Sequence, residues 1–285
     1  MHHDYDILCF KILQMSGRAG RPQFCNSATV VIMTKQEDRQ RNEQLMVGSS
    51  VVESSLQHHL PEHLNAEIIL GNIRSVEQAA SWVRSTYLYM RMRRNGAHYG
   101  LEPGLGEGEV RARVQELCGH VLGTMARVGL VAVADSGSVS GTGLGQLMSR
   151  YYLAFSTMEL LTSDMQAPTI GQLLGTICRS REMSDTVLRN TEKNTLNNLN
   201  KNKEKITVKF PLNGKIKTKD MKVNILIQAS LGSMALADPG LNMETPRLIR
   251  LASRILECLV EVVLKDATKS ADFALVKNVL SLSKR

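Results

Sequence analysis

A chain of 285 residues has room for two domains or three small ones, and a hydrophobic content of 43% is enough to form buried cores. The net charge of +8 favours an anionic partner, although an aromatic content of only 4% would supply a base-stacking surface poorly. Five widely spaced cysteines without a Cys-x-x-Cys pair argue against a zinc site and a disulfide framework. No apolar run reaches the roughly 18 residues of a membrane helix. We therefore expect reduced cysteines, no metal, no membrane contact and a cytosolic or nuclear location.

Residues 14–22, with the sequence QMSGRAGRP, form the most informative stretch. If the backbone is helical from residue 12 onward, Gln14, Arg18 and Arg21 follow at i, i+4 and i+7 and project from one face. Two guanidiniums on one face repel each other unless an anion lies between them. A polyphosphate fits, because arginine forms forked, charge-assisted hydrogen bonds to phosphate oxygens. A solvated basic helix end remains the alternative.

The pattern Gln-x-x-Gly-Arg-Ala-Gly-Arg-Pro resembles motif VI of superfamily 2 helicases, in the form found in the Ski2-like class. In that family the motif lies on the second RecA-like domain and faces ATP and Mg²⁺, which are bound mainly by the first. The resemblance implies that Arg21 is the arginine finger on the γ-phosphate and that Arg18 acts beside it in catalysis. The nucleotide-binding residues that it implies are Gln14, Gly17, Arg18, Gly20 and Arg21.

Residues 1–50 are expected to form the C-terminal remnant of this second RecA-like domain. A helix over 4–15 would lead into the motif. The β-branched apolar run at 28–34 is typical of a strand buried on both faces in a parallel sheet, and a polar helix would follow over 36–47. A helix followed by a buried strand is what the last part of a RecA-like α/β domain would contribute.

Three histidines, at positions 58, 59 and 63, begin the next part of the chain. His59 and His63 have the i, i+4 spacing of a metal pair on a helix. Pro61 lies between them and disfavours that helix, so we predict no metal site. The segments Glu-Ser-x-Leu and His-Leu-Asn-Ala-Glu-Ile instead resemble the junction that follows the RecA-like core in Ski2-like helicases. That family usually lacks the proline, which predicts a kinked entry to the next helix.

The region 51–162 is predicted to hold this junction and a winged-helix domain. Helices are expected over 62–70, 75–94, 109–128 and 144–161, with a short strand at 130–134 and a Gly/Ser-rich loop at 135–143. Helices followed by a short strand and a flexible tip fit a winged-helix unit. The glycines at 141, 143 and 145 match neither a dinucleotide fingerprint nor a P-loop, and they indicate a wing tip or the start of a helix.

Residues 163–285 are predicted to form a helical domain, with helices over 169–178, 184–199, 222–237 and 244–265. The run 213–232, with Lys-Val-Asn-Ile-Leu-Ile-Gln-Ala near its centre, resembles the Sec63-like helical domain. Within that group it is similar to the meiotic crossover DNA helicases. The predicted fold is thus mainly α, with the end of a RecA-like α/β domain, then a winged helix, then a helical ratchet domain of the Sec63-like kind.

Two basic features of this helical domain indicate an anionic partner. Between Arg189 and Lys222 the sequence has ten Lys or Arg against three acidic residues, so this segment carries nearly the whole net charge of the chain. Such a concentration is explained either by a solvated surface loop or by contact with phosphates of a nucleic acid. We select Lys217 and Lys219 as candidate nucleic-acid contacts.

The second basic feature is the helix over 244–265. Leucines, isoleucines and valines on one side would pack inward. The resemblance implies that this is the ratchet helix, which lines the channel for the unwound strand, so that its arginines would contact phosphates or base edges. The alternative is that they face solvent or pair with Glu257 and Glu261. The opposite side carries one stripe, formed by Arg247, Arg250, Arg254, Cys258 and Lys265.

The sequence contains no Gly-x-x-x-x-Gly-Lys-Ser/Thr loop and no Asp-Glu-x-His/Asp box. Phosphoryl transfer needs a phosphate cradle and magnesium ligands, so we expect no ATP hydrolysis by this chain without the N-terminal helicase core. The resemblance implies the C-terminal part of an ATP-dependent 3′–5′ DNA helicase of meiotic recombination, acting in the nucleus on single-stranded or branched DNA. The alternatives are an RNA helicase of the spliceosomal kind and a non-catalytic nucleic-acid-binding module.

Overall fold

The computed structural model describes residues 12–21, 23–25, 27–47, 52–163, 168–202, 206–265 and 272–284. The chain divides into two compact units, Met1–Ser55 and Leu56–Arg285, and each is described by itself. Most described residues are helical, so the prediction of a mainly α fold is confirmed. None of the described helices combines the length and the apolar composition that a membrane-spanning helix needs.

The first unit contains a helical turn at 12–16, a segment at 27–35 without regular secondary structure, and helix α1, Gln36–Met46. The predicted helix over 36–47 is confirmed, whereas most of the one over 4–15 lies outside the described residues. The predicted strand at 28–34 is wrong, because this segment pairs with no strand in the described part of the chain and has no regular secondary structure. Val31 is 81% exposed and Met33 is 95% exposed. A strand of a parallel sheet is buried only when neighbouring strands and covering helices are present.

The first half of the second unit is built from six helices and a hairpin. A short 3₁₀ turn precedes the first helix at Leu56–His59, and another, Gly96–Tyr99, follows the helix Tyr87–Arg94. Buried leucines and methionines from these helices meet in one core, which continues into the second half of the unit. In chain order the elements are α2 Leu60–Ile69, α3 Val76–Arg84, α4 Tyr87–Arg94, α5 Glu107–Val128, β1 Val131–Val133, β2 Val139–Gly141, α6 Gly143–Tyr151 and α7 Phe155–Thr162.

Two of the predicted helices are each divided into two shorter helices. The helix expected over 75–94 is interrupted at Ser85 and Thr86, whose hydroxyls donate to the carbonyls three residues earlier, at 2.7 and 2.6 Å. The helix expected over 144–161 is interrupted at Tyr152, whose φ of 50° and ψ of 55° are left-handed. The pair His59 and His63 does not share a helix, because His59 lies just before α2 and His63 lies within it, while Pro61 does not prevent α2 from forming. It lies in the first turn of α2, where its missing N–H costs nothing.

The hairpin supplies the wing of the winged-helix region. Strand β1 pairs with β2 in antiparallel register, with Val131 opposite Gly141 and Val133 opposite Val139. The predicted loop at 135–143 therefore contains a strand, and only its tip around Gly137, with φ of 79°, is a turn. The expectation of a helix start among the glycines is confirmed, because the Thr142 side chain accepts from the N–H of Gly145 at the first turn of α6.

The second half of the second unit is a bundle of five described helices. Helix α10, Lys219–Leu231, passes through its centre, and every residue from 222 to 229 is buried. The predicted helix over 184–199 starts later than expected, because the 3₁₀ turns Arg181–Met183 and Asn190–Glu192 occupy the region before it. Helix α11 begins five residues before its predicted start and runs through Pro246. The helices are α8 Ile170–Cys178, α9 Lys193–Asn200, α10 Lys219–Leu231, α11 Pro239–Lys265 and α12 Phe273–Ser283.

Candidate nucleic-acid interface

The motif segment of the first unit is a short helix followed by a glycine-containing turn. The helix covers residues 12–16, and the chain turns from Gly17 onward. Gly20 has a φ of 80°, a conformation that favours glycine. A Cβ at Gly20 would also lie 2.9 Å from the Cβ of Ala28, which is too close. The second glycine of the motif is therefore required by the local backbone.

This turn changes where the polar side chains point. The prediction that Gln14, Arg18 and Arg21 project from one face of a continuous helix is wrong, because the helix ends before Arg18. All three side chains are exposed. Among the described residues, the structure records no carboxylate in contact with either arginine.

Two exposed guanidiniums without carboxylate partners fit a phosphate ligand such as the end of a nucleoside triphosphate. The fit does not extend to the magnesium ion, because no group of three His, Cys, Asp or Glu side chains in the described ranges could hold a metal. The nucleotide-binding roles of Gln14, Gly17, Arg18, Gly20 and Arg21 remain predictions.

The three arginines of α11 lie at successive turns of the helix but in different surroundings. Arg247 is exposed, and its Nη2 lies 3.3 Å from Oδ2 of Asp185. Arg250 is exposed. Arg254 is half-buried, and its Nε has no hydrogen-bond partner among the described residues. The arginines therefore offer one paired, one open and one recessed guanidinium rather than a uniform solvated row.

The predicted stripe ends after Arg254. Cys258 is completely buried, and its Sγ lies 3.8 Å from Sδ of Met158, so its assignment to the exposed face is wrong. Helix α7, which carries Met158, packs against α11 at this point. Burial raises the pKa of the Cys258 thiol to about 12. Farther along, Lys265 pairs with Glu261 at 3.5 Å.

The basic segment before and within α10 contains exposed cations and one buried cation. Lys217 is exposed, and Nζ of the exposed Lys219 donates to the carbonyl of Ser184 at 2.9 Å. Lys222 is only 1% exposed, and its Nζ lies 2.8 Å from Oε2 of Glu192 and 2.7 Å from Oε2 of Glu244. Lys222 therefore does not belong to the surface charge that the sequence assigned to this segment.

The loop after α8 brings several of these residues together. Its Ser184 accepts from Lys219 of α10, and its Asp185 pairs with Arg247 of α11. Ser184 and Asp185 also line a cavity of about 620 Å³ together with Arg254. Lys219 and Arg247 thus contact one loop, and Arg254 lines the cavity that this loop borders.

Two further residues of this cavity escaped the sequence reasoning. Tyr152 lines it and is 84% exposed, with the left-handed backbone described above. Glu62 lines it from α2, and its Oε2 is buried without a hydrogen-bond partner in the described part of the chain. Neither residue has a sequence signal of its own, because each lies in what reads as an ordinary amphipathic helix.

Comparison with known proteins identifies the second unit. Residues 141–285 match the family model described as the Sec63 Brl domain, which covers more than half of the chain. The chain belongs to the Sec63 Brl domain family. A winged helix-turn-helix domain model of the SNRNP200 type matches residues 53–134, a range that ends in the turn between β1 and β2.

Helicases are similar to the Sec63 Brl chain over nearly all of its length. The probable ATP-dependent DNA helicase HFM1 of Xenopus tropicalis is 41% identical over 96% of the chain. The ATP-dependent DNA helicase homolog MER3 of Arabidopsis thaliana is 33% identical over 88%. The DExH-box ATP-dependent RNA helicase DExH14 of Arabidopsis thaliana is 30% identical over 88%. The chain spans 20%, 23% and 12% of these relatives.

These matches confirm the resemblance that the motifs indicated, to helicases with a winged helix and a Sec63-like domain. The matches do not assign roles to individual residues. The strand-binding roles of Arg247, Arg250, Arg254, Lys217 and Lys219 therefore remain predictions.

Proposed function

We propose that this chain forms the C-terminal, strand-binding part of an ATP-dependent 3′–5′ DNA helicase that acts in the nucleus in meiotic recombination. Its similarity to HFM1 and MER3 DNA helicases over most of its length supports this function. In such a motor, Arg18 and Arg21 would reach the phosphates of ATP, and the first RecA-like domain would supply the remaining nucleotide site.

The observation that carries the strand-binding part of the proposal is the position of Arg250. It is an exposed guanidinium on α11, one turn from Arg247 and one turn from Arg254. The loop containing Ser184 and Asp185 binds two further cations, because Ser184 accepts from Lys219 and Asp185 pairs with Arg247. Arginine is suited to this role because its planar fork binds phosphate with two hydrogen bonds.

Arg250 is the residue to remove first, because it has no carboxylate partner among the described residues. We expect Arg250→Ala to weaken binding of an oligothymidylate strand and to reduce the slope of log affinity against log salt by about 0.7, the value for one phosphate contact on a single strand. Fluorescence anisotropy over a salt series measures both quantities.

The matched control is Arg113→Ala, which removes an exposed arginine of α5 that pairs with Glu116 on its own helix at 2.7 Å. This control should leave the affinity and the slope unchanged. An unchanged affinity and slope in Arg250→Ala would remove α11 from the strand-binding surface.

The similarity to the RNA helicase DExH14 favours a second candidate, in which the strand is RNA. Phosphate contacts alone do not separate the two nucleic acids, since the distinguishing group is the ribose 2′-hydroxyl. Strands of the same sequence in DNA and RNA form, measured side by side at one salt concentration, decide between them. Tighter binding of DNA supports the proposal, and tighter binding of RNA supports the alternative.

A further inference from the structure

We propose that the cavity beside Arg254 binds a single unstacked base of the strand, and that it prefers guanine. The inference rests on the proposed strand-binding function and adds a base-recognition site to it. The cavity of about 620 Å³ lies within the second unit, between the winged-helix half and the helical bundle. This volume lies in the range of about 300–1,000 Å³ that is usual for small-molecule sites.

The carboxylates that line the cavity differ in what they already bind. Glu182 uses both oxygens, accepting from the N–H of Ala154 at 2.8 Å and from the hydroxyl of Thr157 at 2.6 Å. Asp185 pairs with Arg247. Glu62 accepts from the N–H of Phe155 with Oε1 at 2.8 Å, while its Oε2 has no partner within the described residues. Glu62 is therefore the carboxylate with an oxygen available for a ligand.

The guanidiniums of the cavity show the same contrast. Arg181 donates from Nη1 to the hydroxyl of Ser184. Arg254 has a buried Nε without a partner among the residues the structure describes, and the structure records no ion pair between Arg254 and Glu62. An acceptor and a donor that line one cavity without binding each other fit a ligand that offers donors to one and an acceptor to the other.

Guanine is such a ligand. Its Watson–Crick edge carries two adjacent N–H donors, on N1 and on the exocyclic N2. One would donate to Oε2 of Glu62 and the other to Oε1, which has a second lone pair besides the one that accepts from Phe155. Its O6 and N7 accept from an arginine, as in the commonest base contact of DNA-binding proteins. Thymine, cytosine and adenine lack two adjacent donors on that edge, so none of them would satisfy Glu62 in the same way.

Tyr152 supplies the flat surface that an unstacked base needs. Its ring is 84% exposed and lines the cavity, in a sequence with few aromatic residues. The left-handed backbone at Tyr152 is uncommon for an aromatic residue and is a reason to look for a function. In this proposal the stacked base belongs to the strand whose phosphates contact α11, the helix that also supplies Arg254 to the cavity.

The test compares an oligothymidylate with the same strand carrying a central guanine or a central hypoxanthine, which lacks the exocyclic amine. We expect the guanine strand to bind at least about fivefold more tightly than the all-thymine strand, the low end of what a bidentate base contact gives. Hypoxanthine should lose most of this advantage. Glu62→Gln keeps an oxygen for the N–H of Phe155 but removes the charge, and it should abolish the guanine advantage while all-thymine binding stays unchanged.

Two further variants separate recognition from folding. Glu159→Gln, an exposed carboxylate on α7 that does not line the cavity, should retain the guanine advantage. Tyr152→Asn keeps a residue that tolerates the left-handed backbone and removes the ring, and it should lower the affinity for the guanine strand. Thermal melting of each variant shows whether it is folded.

A second readout comes from Trp82, the single tryptophan of the chain. Its ring centroid lies 6.5 Å from that of His63, which lines the cavity. Deoxyguanosine monophosphate should therefore change the Trp82 emission, and thymidine monophosphate should not. Equal binding of guanine and thymine strands, with Glu62→Gln without effect, would overturn the base site and leave the strand-binding function standing. Absence of binding to every strand would overturn both.

Discussion

Lys222 carries a charge that is almost completely removed from water, and its replacement by methionine is the strongest test of how the helical bundle is held together. Its side chain is 1% exposed, and its Nζ donates to the carbonyl of Val187 at 2.8 Å, to Glu192 at 2.8 Å and to Glu244 at 2.7 Å. These contacts join α10 to the 3₁₀ turn before α9 and to α11. Removal of Lys222 leaves the Glu192 carboxylate, which is 2% exposed, without its main counter-charge.

The expected cost follows from this burial. Breaking a buried ion pair by removing one partner costs about 3–5 kcal/mol. Glu192 keeps the backbone N–H of Arg189 at 3.1 Å and a distant guanidinium contact at 3.6 Å, so we expect Lys222→Met to lie near the lower end, at about 3 kcal/mol. For a unit of this size, that loss corresponds to a fall of roughly 6–12 °C in Tm.

Thermal unfolding followed by circular dichroism measures the change. Lys215→Met, which removes an exposed cation from the same basic segment, is the matched control and should shift Tm by no more than a degree or two. The double variant Lys222→Met/Glu192→Gln removes both buried charges and should recover much of the loss. A Tm for Lys222→Met equal to that of the control would refute the buried network.

Three other properties can be tested on the same protein. Burial raises the pKa of Cys258 to about 12, so a thiol reagent should label the exposed Cys25 in the native protein and leave Cys258 unlabelled until denaturant is added, as read by mass spectrometry. The hydroxyl of Tyr151 donates to Glu261 at 2.6 Å and lowers the pKa of that carboxyl. The contribution of this hydrogen bond is therefore present above the usual carboxyl pKa of about 4.3 and lost as the pH falls through the lowered value, so the Tm difference between wild type and Tyr151→Phe should vanish in acid. The purified chain should hydrolyse no ATP with or without DNA in a coupled assay, and hydrolysis abolished by Arg21→Ala would contradict this expectation.

The long amphipathic helices were predictable from the sequence, because apolar residues at helical spacing indicate a buried face whichever element packs against it. The prediction failed where the local structure or the burial of a residue depends on a neighbouring element that is distant in the sequence. Strand β2 is three residues long and lies in a Gly/Ser-rich stretch, so only its pairing with β1 reveals it. Cys258 lies on the same side of α11 as Arg254, but the helical spacing does not show that α7 covers this side at Cys258.

The candidate site shows the same limit. Helical spacing places three arginines on one side of α11, at positions 247, 250 and 254. The structure gives each of them a different environment. Lys222 was counted as a surface cation, because its two carboxylate partners are far away in sequence. The sequence does not predict the cavity proposed to bind a base, because Glu62 and Tyr152 are far apart in the sequence and line one cavity only in the folded unit.

Photo-cross-linking of a strand that carries bromodeoxyuridine, followed by peptide mapping, tests the central claim most directly. The claim is that a single strand passes along α11 beside the loop containing Ser184. The account predicts cross-links in peptides of α11 between Arg247 and Arg254, and in the segment with Lys217 and Lys219. Cross-links found only in other parts of the chain, with none in these two segments, would contradict it.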